Sequence, residues 1–411
     1  PPGLGKTTLA GIIELDKQFR ECKLKGDNLR ALKNKKSSEI GSLMKDGKKE
    51  EANKIKEEIS SYANLMKELE EKEIVLEQQI KEKMMVIPNI IDDSVPVGKD
   101  DSENVEIEKF GEPIVPDYEI PYHADIMKNC LDKESAGRTS GNGFYYLIGD
   151  IARLHSAMLS YARDFMIDKG FTYCIPPFMI RSDVVNGVMS FEEMDAMMYK
   201  IENEDLYLIG TSEHSMIGRF KNQIVKENEL PITLTSYSPC FRKEVGAHGI
   251  EERGVYRVHQ FEKQEMVVLC KPEDSMDWYN KMWSYTVEFF RSLDVPVRTL
   301  ECCSGDLADL KVKSCDVEAW SPRQKKYFEV GSCSTLGDAQ ARRLGIRTKN
   351  DKETYYLHTL NNTVLATPRG LIAFLENNYQ EDGSIKIPKA LQPYMGGMNV
   401  IRTNDVKKND E

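Results

Sequence analysis

Residues 239–266, PCFRKEVGAHGIEERGVYRVHQFEKQEM, hold a dense set of side chains fit for chemistry. Two strand-like segments flank a loop rich in charge and glycine (Gly246, Gly249, Gly254). Alternate residues of a strand share a face, so Arg242 and Glu244 point together, as do Arg257, His259, Phe261, Lys263 and Glu265. Guanidinium groups suit phosphate, an aromatic ring suits a base, and carboxylates accept from amino or hydroxyl donors. Two arginines, a phenylalanine and two carboxylates on one sheet face make an odd core and a sensible nucleotide site. An exposed hairpin laddered with charge is the alternative that the pattern leaves open.

A second phosphate-binding candidate opens the chain: PPGLGKTTLAG, with Lys6 and Thr7. A glycine-rich loop holds phosphate when a strand delivers it and a helix follows, so that backbone N–H groups point at the anion. The full pattern needs a glycine one place before Pro1, a preceding strand, and elsewhere an apolar strand ending in acidic residues. The nearest match to the last, VIPNIIDD at 86–93, carries Pro88, which suits no central strand. Residues 1–13 are therefore expected to hold no working nucleotide site.

The elements that must position the first set follow from periodicity. From Glu14 to Met85 the chain is rich in Lys, Glu, Leu and Ile and has no proline. Apolar or small residues recur at alternating three and four: Leu15, Phe19, Cys22, Gly26, Leu29, Ile40 and Leu43, then, after KDGKK at 45–49, Ala52, Ile55, Ile59, Tyr62, Met66, Leu69, Leu76 and Ile80. This spacing predicts an antiparallel coiled-coil hairpin whose helices each reach roughly 50 Å. Its tip is basic (Lys45, Lys48, Lys49), and its first helix carries more Lys and Arg between residues 17 and 49 than Asp and Glu. A Pro-, Asp- and Gly-rich stretch at 87–113 reads as a linker. Beyond it, helical segments such as IARLHSAMLSYARDFMIDKG alternate irregularly with strand runs such as LYLIGTSE, LTSYSPCFRKEV and YYLHTLNNTVLA. Successive strands separated only by turns predict a mainly antiparallel sheet and an α+β fold.

Composition narrows the function classes. The 411 residues carry a net charge of −11, which argues against a surface that grips nucleic acid everywhere and leaves room for a local basic face. No apolar run reaches the length of a membrane span, and the first apolar stretch is too short for a secretory signal. Nine cysteines with no C-x-x-C pair predict buried reduced thiols and a cytoplasmic address.

Against this background residues 239–266 resemble motif 2 of class II aminoacyl-tRNA synthetases, in the form used by seryl-tRNA synthetases. GFTYCIPPFMIR at 170–181 resembles the end of motif 1, with Pro176 at a dimer interface, and LNNTVLATPRGLIAFLEN at 360–377 resembles motif 3. IGTSEHS at 209–215 is similar to the T-x-E loop of that family, and YFEVGSCSTLGDAQARR at 327–343 to its metal and triphosphate strand. The hairpin at 14–86 is similar to its tRNA-binding arm. Gly210 and Gly331 stand where the family more often has proline and serine. Residues 1–13 resemble instead the Walker A loop of a Holliday-junction branch-migration ATPase and read as a foreign segment.

The resemblance implies a class II catalytic domain at 114–405, a tail at 406–411, and ATP-dependent conversion of L-serine to seryl-adenylate with transfer to tRNA(Ser), extended to tRNA(Sec). Arg242 would hold the α-phosphate, Glu244 the adenine edge, Phe261 the adenine face and Arg369 the γ-phosphate, with Thr367 and Pro368 as N-cap and first residue of the helix behind it. Glu329 and Ser332 would hold Mg²⁺. Thr211 and Glu213 would take the α-ammonium, Arg257 would lie near carboxylate and phosphate, and Glu265, Asn361 and Thr363 would read the hydroxyl. A homodimer is implied and no membrane. The competing readings are an amino-acid-activating relative with a non-tRNA acceptor, and a non-catalytic RNA-binding relative. The first should lack the arm, and the second should have lost an ATP arginine.

Overall fold

A computed structural model describes residues 6–190, 194, 196–244 and 254–403, with side chains from Leu9 onward. The side chains of Lys6 and Thr7, the loop glycines Gly246 and Gly249, and the 406–411 tail lie outside the described residues. The chain divides into two compact units, Pro1–Pro88 and Asn89–Glu411.

The first unit is a helical hairpin of α1 (Lys6–Lys45) and α2 (Lys49–Met84). Helix α1 starts at Lys6, within residues 1–13 and ahead of the Glu14 start that the spacing suggests. Gly47 at φ 76° makes the reversal, and Lys48 N–H returns to the Leu43 carbonyl at 3.0 Å. The seam is longer than its apolar residues suggest. Lys33 and Lys36 occupy the two steps between Leu29 and Ile40, both only half-exposed, and Lys36 pairs with Glu58 across the hairpin while lying over the Tyr62 ring. Glu73 faces Gly26, where an added Cβ would meet its carboxylate at 3.3 Å. Charged stems thus fill heptad positions by laying their methylenes along the seam.

The second unit is built on eight strands. In chain order they are β1 (Val105–Phe110), β2 (Thr172–Tyr173), β3 (Ile232–Phe241), β4 (Gln260–Cys270), β5 (Val297–Glu301), β6 (Lys313–Ser321), β7 (Lys326–Thr335) and β8 (His358–Ala366). Their spatial order is β1-β5-β6-β7-β8-β4-β3-β2, antiparallel throughout except for β2 with β3. The expected linker therefore corrects at its end: Val105–Phe110 forms the edge strand. Its Val-Glu-Ile-Glu-Lys-Phe alternation is almost wholly exposed, so it lacks the buried apolar face by which a strand declares itself.

One face of the sheet is covered by α3 (Gly149–Asp168) and α6 (Ser275–Ser292). Between them in sequence lie α4 (Ser182–Val188) and α5 (Ser212–Gly218), and after them α7 (Ala339–Leu344) and α8 (Arg369–Asn378). Helix α3 buries Ile151, Leu154, Met158, Ala162 and Met166 at helical spacing and stops before Gly170 at φ 88°. Helix α6 buries Tyr279, Met282, Phe289 and Phe290, and burial of each phenylalanine contributes about 1.5–3 kcal/mol. The cysteines are all free, and all but Cys174 are buried. Among the described residues no helix is long and apolar enough to cross a membrane.

Candidate active site

The other face of β4, β7 and β8 forms a cleft. Arg242, Glu244, Arg257, Phe261, Glu329, Thr363 and Arg369 line it together with Tyr256 and Lys263. Strand β3 ends at Phe241, so Arg242 leaves the sheet and turns its guanidinium back over the Phe261 ring, 5.3 Å from the centroid, while its Nε donates to the Gly210 carbonyl at 3.2 Å. Gly210 thus offers its carbonyl, and a Cβ there would meet only ordinary contacts. Glu244, at φ 44°, receives Arg257 at 3.3 Å. Arg369 donates to Glu329 at 2.9 Å and lies over the Tyr256 ring at 4.7 Å.

Two local expectations are corrected. Strand β4 begins at Gln260, so Arg257 and His259 are not on its face. His259 turns away from the cleft, its Nδ1 within 3.0 Å of the Arg242 carbonyl and 3.1 Å of the Tyr199 hydroxyl. Thr367 is not a helix cap either. Helix α8 starts at Arg369 without a side-chain cap, because the Thr367 hydroxyl is occupied by the Glu262 backbone and by His155 Nε2 at 3.0 Å.

A bulge in β7 explains a spacing that strand alternation alone would forbid. Glu329 pairs with Glu318, Gly331 with Val317 and Ser332 with Asp316, leaving Val330 as the extra residue. Phe328, Val330 and Cys333 consequently face the core, and Glu329 and Ser332, three apart, share the opposite face. Gly331 is tight: a Cβ would come within 3.1 Å of the Thr363 carbonyl. Asp316 hydrogen-bonds Ser332, and burial together with the Glu329 carboxylate pushes it up to about 7. Glu329, Ser332 and Asp316 are hard oxygen donors on one wall, a set that fits Mg²⁺ better than a soft metal. Cys302, Asp306 and Asp316 also bring ligand atoms within 4.8 Å of one another, but the thiol matches a hard ion poorly.

Deeper in, Lys263 and Glu265 form a buried ion pair at 2.5 Å, and Thr363 donates to Glu265 at 3.4 Å. Asn361 lies two residues before Thr363 on the same strand face, half-buried. Thr211 caps α5 by accepting from the Glu213 N–H at 3.4 Å. Burial and the Glu265 carboxylate push Glu213 up to about 7, against the opposing pull of Gln340 and Lys263. His214 behind it is held down to about 3 by burial and by Lys263 and Arg242, so it is neutral at physiological pH. Strand alternation signalled Lys263; Tyr256, Gln340 and Asp316 carried no signal in the sequence, since each acquires its partners from distant segments.

The arrangement can hold a polyanion between two guanidinium groups, an aromatic base on Phe261, and a small cation against the Glu213–Glu265 floor. Comparison with known proteins points the same way. A family model described as the tRNA synthetase class II core domain (G, H, P, S and T) matches residues 197–378, and one described as the seryl-tRNA synthetase N-terminal domain matches residues 5–91. The serine–tRNA ligase of Methanocella arvoryzae is 40% identical over 95% of this chain and 92% of its own length. That of Nitrosopumilus maritimus is 39% identical over 96% and 94%. Among solved structures, seryl-tRNA synthetase from Pyrococcus horikoshii complexed with ATP superposes with a TM-score of 0.86 at 38% identity, covering 95% of this chain and 92% of that one. The cytoplasmic serine–tRNA ligase of Naegleria fowleri in complex with AMP gives 0.82 at 31%, covering 96% and 93%.

Proposed function

Since the chain belongs to the serine–tRNA ligase family, we propose that it activates L-serine with ATP and transfers the seryl group to tRNA(Ser), and by the same chemistry to tRNA(Sec). The observation that carries the site assignment is that Arg242, Arg369 and Lys263 line one cleft, with Lys263 paired to Glu265 and Glu265 close enough to Glu213 to bear on its charge. In the first step a serine carboxylate oxygen attacks the α-phosphorus and pyrophosphate leaves. In the second the terminal ribose hydroxyl of tRNA attacks the acyl carbon and AMP leaves. No side chain needs to form a covalent bond, so positioning and charge neutralisation supply the acceleration.

Arg242 holds the α-phosphate, with the Phe261 ring that it covers left to stack on adenine and Glu244 at the adenine edge. Arg369 exchanges Glu329 for the γ-phosphate, and Arg257 leaves Glu244 for the carboxylate and phosphate of the adenylate. Glu329 and Ser332 would hold Mg²⁺, which would supply neutralisation of the phosphate charge. Glu213, on the helix capped by Thr211, takes the α-ammonium. Glu265, Thr363 and Asn361 read the side-chain hydroxyl; a buried site built to bond a hydroxyl rejects an analogue lacking it by roughly 10⁴ or more. Alanine is thus refused for want of the hydroxyl.

The α1–α2 hairpin serves as the tRNA arm, the second unit, edge strand β1 included, as the catalytic unit, and residues 1–13 add no nucleotide site. A second copy of the chain docks about Pro176, flanked by exposed Ile175 and Met179. Free thiols suit a reducing cytoplasm. The test is ATP–pyrophosphate exchange by the purified chain with each amino acid, ADP being followed in the same tube. Exchange with serine and no ADP is expected. Absence of exchange with serine would overturn the assignment, and ADP release would reinstate Lys6 as a working residue.

A further inference from the structure

Gln340 is the second residue of α7, 1% exposed, and every polar atom of its amide is engaged. Its Nε2 donates to Glu213 Oε1 at 2.9 Å and to the Val188 carbonyl, at the end of α4, at 3.2 Å. Its Oε1 accepts from the Thr359 hydroxyl of β8 at 2.6 Å. Two acceptors on one side and a donor on the other fix the amide orientation, since the flipped amide would set oxygen against the Glu213 carboxylate. One turn on, Arg343 donates to the Asn186 and Met189 carbonyls at 3.4 and 3.1 Å, so the same short helix is tied to α4 at both ends.

Resting on the reading that Glu213 receives the substrate ammonium, we infer that Gln340 is the positioning residue that holds this carboxylate in place, ionised and uncompensated, for serine. A neutral amide is the side chain this task requires. Lysine or arginine in its place would pair with Glu213 and repel the incoming ammonium; an apolar residue would leave the carboxylate without a donor in a buried site. The groups that face Glu213 from the neighbouring elements are Glu265 and Lys263 on β4 and Lys311 ahead of β6. Only Glu265 among these favours the protonated form, and Gln340 opposes it by a hydrogen bond to the charged one. Thr359 completes the device by holding the amide oxygen away from Glu213.

The test is Gln340→Glu in the full chain, read by serine-dependent ATP–pyrophosphate exchange across pH. The substitution keeps length and shape, removes both N–H donors and sets a second carboxyl beside Glu213. KM for serine should rise roughly 10- to 100-fold, the acid limb of kcat/KM for serine should move to higher pH by about one unit or more, and KM for ATP should stay within about twofold. Thr359→Val, which only frees the amide oxygen, should raise KM for serine by about two- to threefold and move the acid limb in the same direction, and it decides the matter should Gln340→Glu not fold. Serine KM and pH limb unchanged in both variants, or serine and ATP KM rising in parallel with a lowered melting temperature, would overturn the inference while leaving the assigned reaction intact. A wild-type chain with no serine-dependent exchange would overturn both.

Discussion

Beside the cleft two carboxylates, Glu213 and Glu265, meet two ammonium groups: Lys263, which pairs with Glu265, and Lys311, which bears on Glu213 from ahead of β6. Lys263 is committed to Glu265, so Glu213, hydrogen-bonded by the neutral Gln340, is the carboxylate proposed to meet the ammonium of a zwitterionic substrate, and serine binding through it would depend on pH. Glu213 is raised to about 7 by burial and by Glu265. Below that pH it carries a proton and offers no charge to the ammonium; above it the carboxylate is free. At saturating ATP, log kcat/KM for serine should therefore fall toward a slope of one as pH drops through about 7; a profile flat from pH 6 to 8 would remove Glu213 from the ammonium site. Glu265→Ala makes a different cut. It removes the partner of Thr363 and of Lys263, so kcat/KM for serine should fall by on the order of 10² or more while KM for ATP changes within about threefold. Unchanged serine kinetics would sink the hydroxyl-reading role. The face that carries Phe261, Lys263 and Glu265 was legible because period two is local. The Gln340–Glu213 contact was not, because 127 residues separate its partners and nothing in either segment announces the other.

At the scale of elements, the corner between β8 and α8 immediately precedes Arg369. The Thr367 hydroxyl accepts from the Glu262 N–H at 3.1 Å and donates to the Glu262 carbonyl at 2.9 Å, and His155 of α3 reaches both Thr367 and the Glu262 carboxylate, the latter at 3.1 Å. Three elements thus meet two residues ahead of the arginine. Thr367→Val keeps the shape and leaves the half-buried Glu262 N–H without its acceptor, which should cost about 1 kcal/mol and lower Tm by a few degrees. If the corner aims Arg369, KM for ATP should also rise by about tenfold while KM for serine stays near its wild-type value; equal loss in both would reduce the corner to a packing contact. The sequence marks Thr367-Pro368 as a helix start, a sound local reading that the β4 backbone overrides by claiming the hydroxyl first. Edge strand β1 and the two-residue β2 escape sequence reading for a related reason: pairing partners define them, and neither has a buried run of its own. The long helices and the paired β3 and β4 declare themselves because their periods persist over many residues.

At the scale of the whole molecule, the two units divide the proposed labour. The hairpin has its own seam, closed by Cys22, Ala52 and Leu76 and by the Lys36–Glu58 pair, so substitutions at its tip need not disturb the sheet that carries the cleft. Lys45, Lys48 and Lys49 flank the Gly47 reversal, and residues 44–51 are all exposed. Lys48 makes an exposed ion pair with Glu51 at 3.7 Å, a weak contact that a polyanion can displace, and Lys45 and Lys49 are exposed beside it. Removing all three as alanines should leave serine-dependent exchange at its wild-type rate, because that reaction involves only ATP and serine. Charging of tRNA(Ser) should weaken instead, with its salt dependence flattened: each lost phosphate contact lowers the slope of log K against log salt by roughly 0.7–0.9, hence about two units for three lysines. Measuring KM for tRNA at several salt concentrations beside the exchange rate separates the outcomes. A variant with unaltered tRNA slope would take the tip out of the tRNA contact and shift attention to the basic flank of α1, whereas a loss of exchange would show that the hairpin supports the cleft as well as the tRNA.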